Sequence, residues 1–216
     1  MSQPGTKKRI LQVAARQFAE HGYNGTSLRK IMREADVNVA AAHYHFGSKA
    51  VLFRAVIDLF VRHIREERLA LLEKCDDIPA DSADLIERIF HALLAPHIHL
   101  LRVQGGFDYV RIIARYASEP RDVILPLYKE VFAPLRLRFI QALGRARPDL
   151  PADYLNRSYG FAIATMAASL VDPGYESLSG EPPAMDDLEQ LIDMLVKFSA
   201  AGFRGLPNPA KDAIVA

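Results

Sequence analysis

The sequence predicts an all-α protein, a small basic helical module followed by a larger helical body. Apolar residues recur at spacings of three and four through most of the 216 residues, and no stretch alternates as a strand would. Half of the residues are hydrophobic, enough for one or two packed domains. The charge is uneven: residues 1–50 carry eight basic and three acidic residues, a formal +5, whereas 19 basic and 23 acidic residues follow. A basic module on a mildly acidic body suits a polyanionic partner for the first part only.

The helices follow in order. From Thr6, an N-cap residue type, Ile10, Leu11, Ala14 and Phe18 keep helical spacing until Gly22, a natural stop. Thr26 can cap a second helix, SLRKIMREA, with Leu28, Ile31, Met32 and Ala35 on one stripe and Arg29, Lys30 and Arg33 largely off it. ADVN then makes a turn, Asn38 can cap a short third helix running to Phe46, Gly47 ends it, and Ser48 can cap a long fourth. Two short helices joined by such a turn, behind a packing helix, are the layout of a helix-turn-helix.

The third of these helices carries VAAAHYHFGSK, residues 39–49. His43 and His45 invite a metal, but residues two apart on a helix do not face each other and no third ligand stands close by, so no metal is expected. A helix entering the DNA major groove needs small side chains for close approach and polar groups beside them. Ala40, Ala41 and Ala42 supply the first, and Tyr44, His45 and Lys49 can meet phosphate oxygens where the helix leaves the groove. A packed, hydrogen-bonded His45 is the plainer alternative, and Phe46 is expected to pack inward.

Residues 6–55, TKKRILQVAARQFAEHGYNGTSLRKIMREADVNVAAAHYHFGSKAVLFRA, resemble the DNA-binding domain of the TetR/AcrR family of transcriptional regulators, without a gap. AARQFAEHGYNGTS, IMREADV and YHFGSKAVL, in that order and spacing, are the most specific pieces. The resemblance implies a helix-turn-helix DNA-binding domain over residues 1–50, a helical effector-binding and dimerisation domain over 51–206, and a tail over 207–216. It puts Thr26 and Ser27 at a phosphate-holding helix start and Arg29 at a position that reaches DNA. Val39, Ala40, Ala41 and His43 fall on the recognition helix, Tyr44 and His45 on its phosphate-contacting end, and Lys49 on the family's lysine at the next helix start. Many members carry tyrosine where this chain has His43, so a tyrosine-type contact does not carry over, and donation from His43 to a phosphate or a base edge is the alternative. The helix offers no Arg or Gln for a bidentate base contact, which shifts specificity toward methyl contacts and DNA shape.

Beyond the module, helices are expected from Ser48 to about Lys74, then through Leu85, Ile86, Ile89, Phe90, Leu93 and Leu94 until Pro96, and near residues 107–117, 121–146, 151–171 and 187–203. GFAIATMAASLV is apolar nearly all round, and Leu188, Leu191, Ile192, Leu195 and Val196 form the stripe of a partner helix. An ordinary monomer core would look the same. In the family, two such helices per subunit build a four-helix dimer interface, which here implies a homodimer through residues 151–171 and 187–203 and an operator of roughly palindromic half-sites. Family members also answer to a small-molecule effector held in the helical domain. Phe90, Leu94, Phe107, Ile112, Ile113, Phe132 and Met166 can line an apolar cavity, or serve simply as core, with His91, His97, Tyr109, Arg111, Arg115 or Tyr116 as its polar groups. Arg111 and Arg115, one turn apart, can grip an anionic head group or pair with acidic neighbours. FSAAGFRG and NVAAAHYHFGSK resemble the PsrA-type branch, some of whose members sense fatty acids, which implies a fatty acid or acyl thioester.

Other functions are expected to be absent. The lone Cys75 allows no intramolecular disulfide and fits a reducing cytoplasm. MSQPGTKKR has no apolar signal core and YGFAIATMAASLV is too short to span a bilayer, so a cytoplasmic protein is expected. The best case for an enzyme is His91, His97 and His99 around Pro96, but no carboxylate follows at a familiar ligand spacing, and no Ser/His/Asp order, Walker loop or GxGxxG accompanies it. The sequence therefore reads as a cofactor-free regulator, a dimer that binds an operator and releases it when an effector favours another state.

Overall fold

The structure is a computed structural model and describes residues 4–38, 46–171 and 188–208. Among these residues the regular elements are helices: α1 (Pro4–His21), α2 (Leu28–Glu34), α3 (Lys49–Asp76), α4 (Leu85–His99), α5 (Gly106–Arg115), α6 (Arg121–Leu127), α7 (Ala133–Ala146), α8 (Ala152–Val171) and α9 (Leu188–Arg204). None of the described helices is long and apolar enough to cross a membrane. The chain divides into two compact units, residues 1–63 with 100–131, and residues 64–99 with 132–216.

In the first unit, α1 begins at Pro4, two residues before Thr6, because a proline's missing N–H is no loss in a first helical turn. It ends at Gly22, whose φ of 68° is left-handed and whose amide donates to Phe18 O at 2.9 Å. The cap of α2 is Ser27, not Thr26. Ser27 is extended (φ −128°, ψ 146°) and its Oγ accepts from Lys30 N at 3.2 Å, while Thr26 is buried one residue too early to reach that amide. Asp36 ends the helix at φ 51°, with Val37 N donating to Met32 O and Asp36 N to Arg33 O, the paired bonds of a Schellman turn. Ser48 caps α3 as its residue type predicts, accepting from Val51 N at 3.2 Å. The unit's core joins Ile10, Ala14 and Phe18 of α1 to Ile31 and Met32 of α2, Leu52, Phe53 and Val56 of α3, and Tyr109 and Ile112 of α5. Phe18 meets Phe53 edge-on at 4.9 Å.

The second unit is organised around α4, in which Leu85, Ile86, Ile89, Phe90, Leu93, Leu94, His97 and Ile98 are all buried. The sequence stops this helix at Pro96, but it runs on to His99. Burial on several sides holds the backbone through the proline, and Arg68 Nε donates to the carbonyl of Leu93, one turn upstream, at 2.8 Å. The helix expected over 121–146 is broken instead into α6 and a wide π turn over Tyr128–Phe132, which lie in the first unit up to residue 131, and α7, which lies in the second; Pro126 and Pro134 each withdraw an amide from the ladder. Arg145 closes the end of α3 by donating to the carbonyls of Cys75, Asp76 and Ile78, where the helix dipole favours a cation. Phe90 packs edge-on against Phe203 of α9 at 5.8 Å.

Candidate nucleic-acid interface

The frame of the module is a set of contacts between α1 and α2. Gln17 Nε2 donates to Glu34 at 2.9 and 3.2 Å, Arg16 lies 3.5 Å from the same carboxylate, and Arg9 donates to Asp36 O at 2.9 Å. These hold the end of α2 against α1, with Ile31, Met32 and Ala35 buried between them. Arg29 and Arg33 are exposed on the other side of α2, and Ser27 is exposed at its start. An exposed helix N-terminus beside guanidinium groups is suited to a phosphate backbone.

The predicted site residues fare differently. Thr26 is buried, and its Oγ1 lies 2.8 Å from Gly22 O and 3.0 Å from Gln17 O, so the hydroxyl is committed to the turn. Lys49 is half-buried and its ammonium is likewise engaged: Nζ donates to Tyr23 O at 2.9 Å and Thr26 O at 3.1 Å, and sits 4.1 Å from the centre of the Tyr23 ring. Burial, and then the charge of Asp122, pushes the Tyr23 phenol up, so the ring remains neutral beside that ammonium. Phe46 is buried, as its apolar character predicts. Val39, Ala40, Ala41, His43, Tyr44 and His45 lie outside the described residues.

Two groups with structural weight escaped the sequence reading. Glu119 accepts from the backbone amide of Tyr23 at 3.0 Å, and Gln17, a polar residue on a helix face otherwise apolar, ties α1 to α2. Nothing near Glu119 in the sequence signals a partner 96 positions away.

The seven residues expected around an effector are divided between the units. Phe90, Leu94, His97 and Met166 are buried in the second. His97 is held neutral there: burial, and then the nearby charge of Arg68, lowers its pKa to about 3. Phe107, Arg111 and Arg115 belong to the first unit, where Phe107 is exposed, Arg111 is placed 5.9 Å over its ring, and Arg115 lies 4.0 Å from Glu119. The histidines flanking Pro96 part company as well, His91 exposed and His99 within 3.3 Å of both Glu67 and Glu189. Among the described residues no group of three or more His, Cys, Asp or Glu is placed to hold a metal ion.

A basic helix-turn module with an exposed arginine edge, joined to an all-helical body, defines a DNA-binding transcriptional regulator of the helix-turn-helix class. Residues 10–56 match the family description "Bacterial regulatory proteins, tetR family", and residues 91–202 match "Tetracyclin repressor-like, C-terminal domain". The chain is 26% identical over 214 residues to the HTH-type transcriptional regulator BetI of Agrobacterium fabrum, covering 95% of each. It is 30% identical over 133 residues to the transcriptional dual regulator CecR of Shigella flexneri, covering 60% of this chain and 59% of that one. The fold is also similar to that of a Clostridium perfringens protein proposed to regulate fatty acid metabolism, with a TM-score of 0.64 at 16% identity over 90% of this chain and 97% of the other. The chain belongs to the TetR family. Its members are typically repressors that bind DNA, dimerise and respond to small-molecule effectors.

Proposed function

We propose that the protein is a cytoplasmic homodimeric repressor that grips a palindromic operator with residues 1–50 and releases it when a small molecule occupies the helical domain of residues 51–206. The observation that carries this reading is the exposed basic edge of α2, Arg29 and Arg33, beside the exposed cap Ser27, on a module whose α1–α2 geometry is held by buried contacts. On this reading Ser27 and Arg29 meet phosphates, Val39, Ala40, Ala41 and His43 face base edges, and Tyr44 and His45 flank them on the backbone. Thr26 and Lys49 serve the interface from behind by shaping the turn before α2.

Dimerisation is supported by the second unit. Phe161, Met194 and Phe198 are 63%, 60% and 66% exposed, and a groove of about 450 Å³ between α8 and α9 is lined by Phe161, Ala162, Thr165, Phe198 and Phe203. A second copy of the same two helices is the occupant whose apolar face complements it. The effector is read as an apolar molecule with an acidic head, a fatty acid or its acyl thioester, with Phe90, Leu94, His97 and Met166 of the second unit as its surroundings. The similarity in fold to the Clostridium perfringens protein supports that class. Catalysis forms no part of the reading, since the matched relatives are regulators.

Selection of bound fragments from random DNA by the purified full-length protein tests the proposal. Enrichment of one palindromic motif that an Arg29→Ala, Arg33→Ala variant fails to enrich supports it; no enriched motif at moderate salt refutes it. A thermal-shift series with fatty acids and acyl thioesters tests the effector class, which a flat response would exclude.

A further inference from the structure

The turn between α1 and α2 has little freedom of its own. Gly22 is left-handed, and a Cβ on Gly25 would lie 2.3 Å from His21 O, so both glycines are required by the path of the chain. Within that turn Tyr23 is held through both of its backbone groups by side chains from elsewhere. Its carbonyl accepts from Lys49 at 2.9 Å, and its amide donates to Glu119 Oε2 at 3.0 Å. The carboxylate reaches the amide by passing over Gly22, where a Cβ would stand 2.8 Å from Glu119 Oε1. The side chain of Glu119 is only 8% exposed, and an anion so withdrawn from water requires compensation; the Tyr23 amide donates to it, and the Arg115 guanidinium, 4.0 Å away, offsets its charge.

The turn leads directly into the reading elements. Thr26 ties its own hydroxyl to Gly22 O, Ser27 caps α2 on the next residue, and the exposed Arg29 follows within the first turn of that helix. A turn that shifts carries α2 with it. Glu119 lies in the stretch matched by the C-terminal family description and Tyr23 in the stretch matched by the N-terminal one, yet both belong to the same compact unit.

We propose that Glu119 is a positioning residue for DNA recognition: its carboxylate, seated over Gly22 and bonded to the Tyr23 amide, clamps the turn that aims α2. The clamp stands on contacts within the first unit; its role in recognition rests on the DNA-binding reading above.

The test compares wild type, Glu119→Ala and Glu119→Gln as full-length dimers. Two quantities are read: hydrogen exchange of the peptide spanning residues 19–27, and affinity for the selected operator against random-sequence DNA. A hydrogen bond to a charged acceptor is worth roughly tenfold in an equilibrium constant. Glu119→Ala is therefore expected to speed exchange in that peptide by about tenfold and to weaken operator binding by about fivefold or more, with random-sequence affinity within about twofold of wild type. Glu119→Gln, which keeps an acceptor oxygen, restores most of both. Exchange unchanged in Glu119→Ala, equal losses on operator and random DNA, or no rescue by glutamine overturns the proposal. A wild-type protein that selects no operator overturns the recognition role together with the reading it rests on, and the exchange comparison, which needs no DNA, separates that outcome from failure of the clamp.

Discussion

Replacing Lys49 with alanine separates two roles for the lysine at the start of α3. If the ammonium neutralises a DNA phosphate, its loss lowers the slope of log affinity against log salt by about 0.9 per contact, or about 1.8 for a dimer, without unfolding the protein. The structure points the other way. Nζ donates to two carbonyls at 2.9 and 3.1 Å and lies 4.1 Å from the Tyr23 ring centre. Hydrogen bonds from a charged donor contribute about 1.5–3 kcal/mol each and an exposed cation–π contact about 0.5–1 kcal/mol. The group is half-buried, which favours the low end of those ranges, and a cation at a helix N-terminus opposes the dipole by about 0.3–1 kcal/mol. The net expectation for Lys49→Ala is about 3 kcal/mol of lost stability, weaker operator binding through a loosened turn, and an unchanged salt slope. Urea unfolding of the variant, with operator titrations between about 50 and 200 mM salt, measures both. Unaltered stability with a slope reduced by about 1 or more would refute the structural role and restore the phosphate contact.

Phe198→Asp probes the dimer face. About two-thirds of a side chain of roughly 200 Å² is available for burial, worth about 3 kcal/mol per copy, so the dimer dissociation constant in sedimentation equilibrium is expected to rise by about 100-fold or more; an unchanged dimer would exclude this face. His97 sets a pH dependence. Its pKa is about 3 in the folded protein and near 6.5 when unfolded, so the unfolded chain binds the extra proton between those values. The stability this histidine contributes is full above about pH 6.5 and declines as pH falls toward about 3, by about 2 kcal/mol between pH 7 and 5. His97→Gln should remove that slope from urea-unfolding data in this interval, and equal slopes in the two proteins would mean that His97 is accessible to protons in the fold.

Much of the fold is local chemistry and is legible in the residue order. Ile10, Leu11, Ala14 and Phe18 keep helical spacing and end at Gly22; Ser48 stands where a helix must begin; the basic residues of α2 lie off its apolar stripe. These depend on periodicity and caps, which act over a few residues. The family too is carried by a short ordered run of motifs. Tertiary structure decided what local rules leave open. Pro96 predicts a stop, but enclosure by neighbouring helices and the Arg68 contact to Leu93 O let α4 continue. Thr26 and Ser27 are both cap residues by type, and the engagement of Thr26 with the carbonyls of Gln17 and Gly22 leaves the cap to Ser27. The backbone groups that Lys49 and Glu119 bond lie 23 or more positions away, and a backbone amide or carbonyl looks the same whatever residue carries it. Periodicity can therefore report which face of a helix is buried. Which distant peptide group a charged side chain will grip becomes readable only when the chain is folded.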